Sequence, residues 1–112
     1  MASKYKAKKI IVDGSKFDSK KEACRYKELK LLERAGRIRD LKLQPVYLLQ
    51  DKFRYHDKAQ RKITYVADFS YIDCETGENI VEDVKGFKTD VYMLKKKLFL
   101  YKYGDKVIFK EI

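Results

Sequence analysis

Residues 63–85 read Ile63-Thr64-Tyr65-Val66-Ala67-Asp68-Phe69-Ser70-Tyr71-Ile72-Asp73, then Cys74-Glu75-Thr76-Gly77-Glu78-Asn79, then Ile80-Val81-Glu82-Asp83-Val84-Lys85. Two runs rich in β-branched and aromatic residues flank a polar segment that contains a glycine, which is the pattern of an antiparallel hairpin. Both runs carry charge where strands seldom do. Side chains alternate across a strand, so Asp83 and Lys85 share a face roughly 7 Å apart. With Thr76 and Gly77 as the turn centre, Asp68 pairs with Lys85 and Ser70 with Asp83. Two carboxylates and one ammonium then occupy one face. The assignment depends on register, because a slip of one residue would turn Asp68 to the opposite face.

Carboxylates held side by side repel each other, and a fold tolerates them mainly when a cation lies between them. A hard divalent ion with oxygen ligands, Mg²⁺ or Mn²⁺, meets that requirement. The alternative is an ion pair between Asp83 and Lys85 at the sheet end, with Asp68 on a solvated face. Spacing alone does not choose between the two.

The chain has 112 residues, enough for one core and too few for two. A hydrophobic content of 45%, with nine tyrosines and six phenylalanines, predicts a folded globule. Its 27 basic and 17 acidic residues give a net charge of +10, an excess that suits a polyanionic partner, either nucleic acid or an anionic membrane surface. No apolar run approaches the ~18 residues of a membrane span, and no signal-like core follows the basic N-terminus, so a cytoplasmic protein is expected. Cys24 and Cys74 have no C-x-x-C spacing and no histidine beside them, which predicts free thiols and argues against a zinc site.

Local signals place the other elements. Lys4, Lys6, Lys8 and Lys9 form either a solvated terminus or a basic arm, residues 1–9, that follows a phosphate backbone. Asp13-Gly14 between Ile10-Ile11-Val12 and Lys16-Phe17 predicts a short hairpin. Ser19 opens a helix with Glu22 three residues later, and Gly36 stops it. Glu22, Tyr26 and Leu29 fall on one stripe, which turns Glu22 toward the sheet. Arg37 to Asp40 reads as a linker and Pro45 as the start of an edge strand. Lys52 to Lys62 reads as a loop or the outer part of a hairpin able to touch DNA through Arg61 and Lys62, with His56 on its surface. Thr89 or Asp90 caps a second helix ending at Gly104, and Val91, Leu94, Leu98 and Tyr101 are its expected core-facing stripe. Lys95, Lys96 and Lys97, with Lys88 upstream, form either a solvated basic face or phosphate contacts. Lys106 to Ile112 closes the chain as a strand.

The pattern Val66-Ala67-Asp68 followed by Asp83-Val84-Lys85 resembles the signature of the PD-(D/E)XK nuclease superfamily, which includes Holliday junction resolvases and many restriction endonucleases. Alanine stands before Asp68 where the family name has proline. The whole chain is similar to a small phage-borne branch of that superfamily. The resemblance implies an α/β fold with a restriction endonuclease-like αβββαβ core, a mixed central sheet flanked by helices, in one nuclease-like domain over residues 1–112. It implies a Mg²⁺- or Mn²⁺-dependent endodeoxyribonuclease that acts on duplex or branched DNA in the cytoplasm of a phage host, with dimerisation as in the junction cutters. Asp68 and Asp83 would hold the metal with the Val84 carbonyl, Glu22 would complete the shell or bind a second ion, and Lys85 would orient or deprotonate the attacking water. Two rival classes are a non-catalytic nucleic-acid-binding module, with its acidic residues only structural, and a phage accessory protein that works through protein contacts.

Overall fold

The computed structural model describes residues 9–84 and 88–112. Lys85 and most of the basic arm lie outside them. Elements run β1 (Ile10–Val12), β2 (Ser15–Phe17), α1 (Lys20–Arg34), β3 (Ile38–Leu43), β4 (Val46–Gln50), β5 (Phe53–Tyr55), β6 (Lys58–Gln60), β7 (Ile63–Val66), β8 (Phe69–Asp73), β9 (Asn79–Asp83), α2 (Asp90–Tyr103) and β10 (Ile108–Glu111). The architecture is mixed α/β: a four-stranded sheet in the order β10-β9-β8-β3, mostly antiparallel with β10 parallel to β9, and two helices. No helix among the described residues is long and apolar enough to cross a membrane.

Local chemistry sets the ends of both helices. Ser19 accepts a hydrogen bond from the Glu22 amide and Thr89 from the Tyr92 amide, each satisfying a donor of the first turn. Beyond α1, Gly36 takes the left-handed conformation that closes a helix, with φ +74°. Asp13 and Gly14 both have positive φ, as a tight hairpin turn demands, and join β1 to β2.

One long hairpin dominates the sheet, and it is bent. Its arms run through β3 and β4 on one side and β7 and β8 on the other, with β5 and β6 at the tip. Pairing passes from β3–β8 to β4–β7 at Gln44-Pro45 and Ala67-Asp68. There the Gln44 amide donates to the Asp68 carbonyl (2.9 Å) and the Ala67 amide to the Pro45 carbonyl (3.1 Å). Pro45 has no amide to give a ladder, and Gln44 adopts φ +52°, so the strand changes direction there. The stretch 63–73, expected as one strand, is therefore two. The expected linker at 37–40 is in part β3, whose Ile38 is buried against the core.

The β8–β9 register also differs from expectation. Ser70 faces Val81, not Asp83, and Phe69 faces Glu82. The turn is organised by Asp73: its carboxylate accepts from the Glu75 amide (2.8 Å) and its carbonyl from the Gly77 amide (2.7 Å). This moves the turn centre one residue toward the N-terminus and slips the pairing by two. An even slip preserves the faces. Continuing the register sets Asp68 opposite Asp83.

Two apolar clusters sandwich the sheet. Phe17, Tyr26, Leu29, Ile38, Phe69 and Ile80 form the one under α1. Tyr65, Ala67, Val81, Tyr92 and Phe99 form the one under α2, with the Phe99 and Tyr65 rings 5.0 Å apart. The second cluster corrects the expectation for α2. Tyr92 and Phe99 face inward, whereas Val91, Leu94, Leu98 and Tyr101 are exposed. Both stripes have helical spacing, and the larger aromatic side chains take the core because they remove more area from water.

Candidate active site

The bend brings carboxylates from three elements together. Glu22 is on the first turn of α1, Asp68 at the break between β7 and β8, and Asp83 at the end of β9. Glu22 is buried, and the Asp18 amide donates to its Oε1 (2.9 Å). A capping box at Ser19 is thus only half formed: Ser19 accepts from the Glu22 amide, but the Glu22 carboxylate accepts from the Asp18 amide. Asp83 is fully buried, and the Tyr65 hydroxyl donates to its Oδ2. Half-buried Asp68 lies between them, with its Oδ2 accepting from the Val84 amide (2.7 Å).

The Asp68 carboxyl is pushed up to about 6. Burial is the main cause and the hydrogen-bonded Glu22 carboxyl the second, while the contact with Asp83 and the Val84 amide pull the other way. A group poised there exchanges a proton, or a cation in its place, near neutral pH.

A cleft of about 320 Å³ opens on this cluster. Glu22, Asp68, Gln44 and Lys16 are among the side chains that line it. No local signal singles out Lys16 as a site residue, and Gln44 is marked only by its place before Pro45. Among the described residues no group of three His, Cys, Asp or Glu converges on one point that could hold a metal ion. Asp68 touches carboxyls on two sides without all three meeting. The donors that do share the cleft are all oxygen: the Glu22 and Asp68 carboxylates and the Gln44 amide. That set fits Mg²⁺, which keeps several waters and takes only one or two protein carboxylates plus substrate phosphate oxygens.

Behind this cluster lies a second buried carboxylate. Glu82 points to the α1 side, fully buried, and Arg25 grips it with Nε (2.8 Å) and a terminal nitrogen (2.6 Å) while the Tyr71 hydroxyl also donates. The hydrogen bonds to Glu82 hold the Arg25 guanidinium far above its ordinary range. Burial and Glu82 raise the Tyr71 phenol. This ion pair fixes α1, and so Glu22, over the β8–β9 hairpin. Alternation along β9 puts Glu82 on the other face of the strand from Asp83, but its partner Arg25 lies 57 positions away in the chain, and no local signal connects them.

The basic residues divide into two groups. Lys88 and Lys96 both pair with Glu111 (2.9 and 3.1 Å), which also accepts from the Tyr92 hydroxyl (2.5 Å). The Tyr92 bond first, then the lysines, hold the Glu111 carboxyl down at about 2. These two lysines thus have an internal partner, and Lys95 is half-buried. Lys97, Arg61 and Lys62 are exposed, the last two at the base of the hairpin tip.

Tyr65 links Asp83 to the α2 cluster. Tyr65→Phe should remove one hydrogen-bond donor from a buried carboxylate at a cost of about 1–2 kcal/mol. Urea unfolding checks this, and an unchanged midpoint would show that the hydroxyl bears no part of Asp83's burial.

Searches of curated proteins and of solved structures returned no match to the chain. A family model does match, over residues 2–110, and the chain accordingly belongs to the family described as "Protein of unknown function (DUF1064)".

Proposed function

We propose that the chain is a metal-dependent DNA endonuclease of the PD-(D/E)XK type, selective for DNA structure over sequence. The observation that carries this reading is the placement of Asp68 between Glu22 and Asp83, with its carboxyl raised toward neutrality beside an open cleft. The order of elements around the four-stranded sheet, α1-β3-β8-β9-α2-β10, supports the αβββαβ core expected of that superfamily. A net charge of +10 and the exposed Arg61 and Lys62 supply the phosphate contacts.

Glu22 and Asp68 would hold Mg²⁺ or Mn²⁺ at the cleft, with the Val84 carbonyl and the negative charge of buried Asp83 contributed from the sheet end. The ion, when bound, supplies charge neutralisation at the phosphate and a lowered pKa for bound water. Asp68 would hold the ion in its ionised form, its proton released to solvent. The Val84 amide and Tyr65 fix the orientations of Asp68 and Asp83, so the site is organised before substrate arrives. Lys85, which follows Val84 directly in sequence, would orient or deprotonate the attacking water. Lys16 lines the same cleft and is placed to meet a phosphate oxygen.

A nicking assay on branched and linear duplexes tests the reading. Cleavage should require Mg²⁺ or Mn²⁺ and vanish with chelator. Binding should weaken with salt, log K falling by roughly 0.9 per contacted phosphate per decade. Tight, salt-sensitive binding without nicking in either metal would leave a basic binding module.

A further inference from the structure

The outward face of α2 has the wrong chemistry for a surface that meets only water or DNA. Val91 (62% exposed), Leu94 (60%), Leu98 (42%) and Tyr101 (92%) run along it at spacings of three, four and three residues, flanked by Met93 and Leu100. Those first four positions follow the a and d places of two heptads, a seam that a second helix can fill. Lys97 and Asp90, one of each sign, are the charged side chains inside the arc that these six define, on a chain in which 39% of residues are charged. A polyanion has almost nothing to grip there. Together the six present on the order of 700 Å², close to the ~800 Å² that each partner contributes to a standard stable interface and at the upper end of the patches found on monomers.

We propose that this face is the interface of a two-fold homodimer in which α2 packs antiparallel against α2 of a second copy. Apart from the Tyr101 hydroxyl at its end, the seam consists of aliphatic side chains and one aromatic ring, with no polar group demanding a complementary donor or acceptor. An identical surface therefore satisfies it, which is the condition for an isologous contact. The area is sufficient when two copies bury it together. Charge selects the orientation. Parallel packing would set each lysine of the helix level with its own copy and put Asp90 beside Asp90. Antiparallel packing brings the turn carrying Asp90 alongside the turn carrying Lys102 and opposes the two helix dipoles. Val91 of one copy then lies near Tyr101 of the other, and Leu94 near Leu98.

The net charge of +10 on each copy opposes association at long range, so dimerisation should strengthen as salt rises, whereas DNA binding weakens. The inference is independent of the nuclease reading, because assembly is read without DNA or metal. Sedimentation velocity of the full chain at low and at roughly 0.5 M salt, beyond the range at which surface charges feel one another, is the measurement. The wild type should be dimeric, more so at high salt. Leu94→Glu should weaken association at least about 30-fold, as expected for loss of a central apolar contact, with an unchanged far-UV spectrum. If Leu94→Glu loses its fold, Tyr101→Lys carries the same readout, since that side chain is almost wholly in water. In a Cys24→Ser/Cys74→Ser background under mild oxidant, a mixture of Val91→Cys and Tyr101→Cys chains should cross-link heterotypically. A wild type that stays monomeric at both salts, or a dimer that survives both substitutions, overturns the interface. Homotypic Val91→Cys cross-links in excess of mixed ones overturn the antiparallel arrangement.

Discussion

Replacing Arg25 with alanine should cost about 3–5 kcal/mol, the usual penalty for stripping the partner from a buried carboxylate. Glu82 has no exposed surface and receives two of its three hydrogen bonds from this one guanidinium. Without it the carboxylate retains the Tyr71 hydroxyl but loses its counter-charge. In a domain of this size the loss corresponds to a fall in Tm on the order of 15 °C. Arg25→Lys should recover only part of this, because an ammonium cannot reproduce the two-pronged contact. The double variant Arg25→Ala/Glu82→Gln should melt above Arg25→Ala alone, since the uncompensated charge is gone. Thermal melts of the four proteins decide the matter. An Arg25→Ala chain within about 1 kcal/mol of wild type would mean that the pair behaves like a surface ion pair and does not anchor α1.

Asp68→Asn should eliminate the proposed metal-dependent cleavage, by about 10³-fold or more, and at the same time stabilise the metal-free protein at neutral pH. The two effects share a cause. In the folded chain the Asp68 carboxyl keeps its proton up to about pH 6. In the unfolded chain it loses it near the ordinary value of about 3.9. Between those values the native state binds more protons than the unfolded state, so this group's contribution to stability falls as pH rises and stays low above 6. Asparagine escapes that penalty. Its advantage should be absent below about pH 4 and reach on the order of 1–2 kcal/mol above pH 6, after allowance for solvent screening of a half-buried group. Mg²⁺ should raise the Tm of wild type at pH 7.5 and leave the variant unmoved. A variant that melts below wild type at pH 7.5 without metal would show that the ionised Asp68 is stabilised by its surroundings, contrary to the strained carboxylate inferred here.

What could be read from the sequence was local, and what could not was set at a distance. Ser19, Gly36, Asp13-Gly14 and Thr89 act within a few residues of themselves, and each element they bound is where their chemistry puts it. The stripe through Glu22, Tyr26 and Leu29 correctly turned Glu22 inward, because helical spacing fixes relative facing. The β8–β9 register eluded the same reasoning. Gly77 identifies a turn, but the carboxylate of Asp73 decides its centre, and the even slip left the carboxylates together by parity. On α2 the periodicity was real and ambiguous, since two apolar stripes share one helix and only their competition for the core assigns the faces. Arg25 and Glu82 show the limit most plainly: each looks like a surface charge until the fold brings them into contact.

The bend at Gln44 and Asp68 also has a meaning for how the molecule opens. On one side of it β3 and β8 belong to the α1 cluster, and on the other β4 and β7 belong to the α2 cluster. Few backbone hydrogen bonds cross the break, so the two halves are natural units of partial unfolding, joined mainly through β9. Glu22 belongs to one unit, Tyr65 to the other, and Asp68 to the seam between them. Loosening either half separates the carboxylates that the proposed nuclease would use together, while most of the remaining amides stay protected from exchange. The proposed cleavage should therefore be lost on heating before the global transition begins, with the seam amides of Gln44 and Ala67 exchanging ahead of those in the centre of β8.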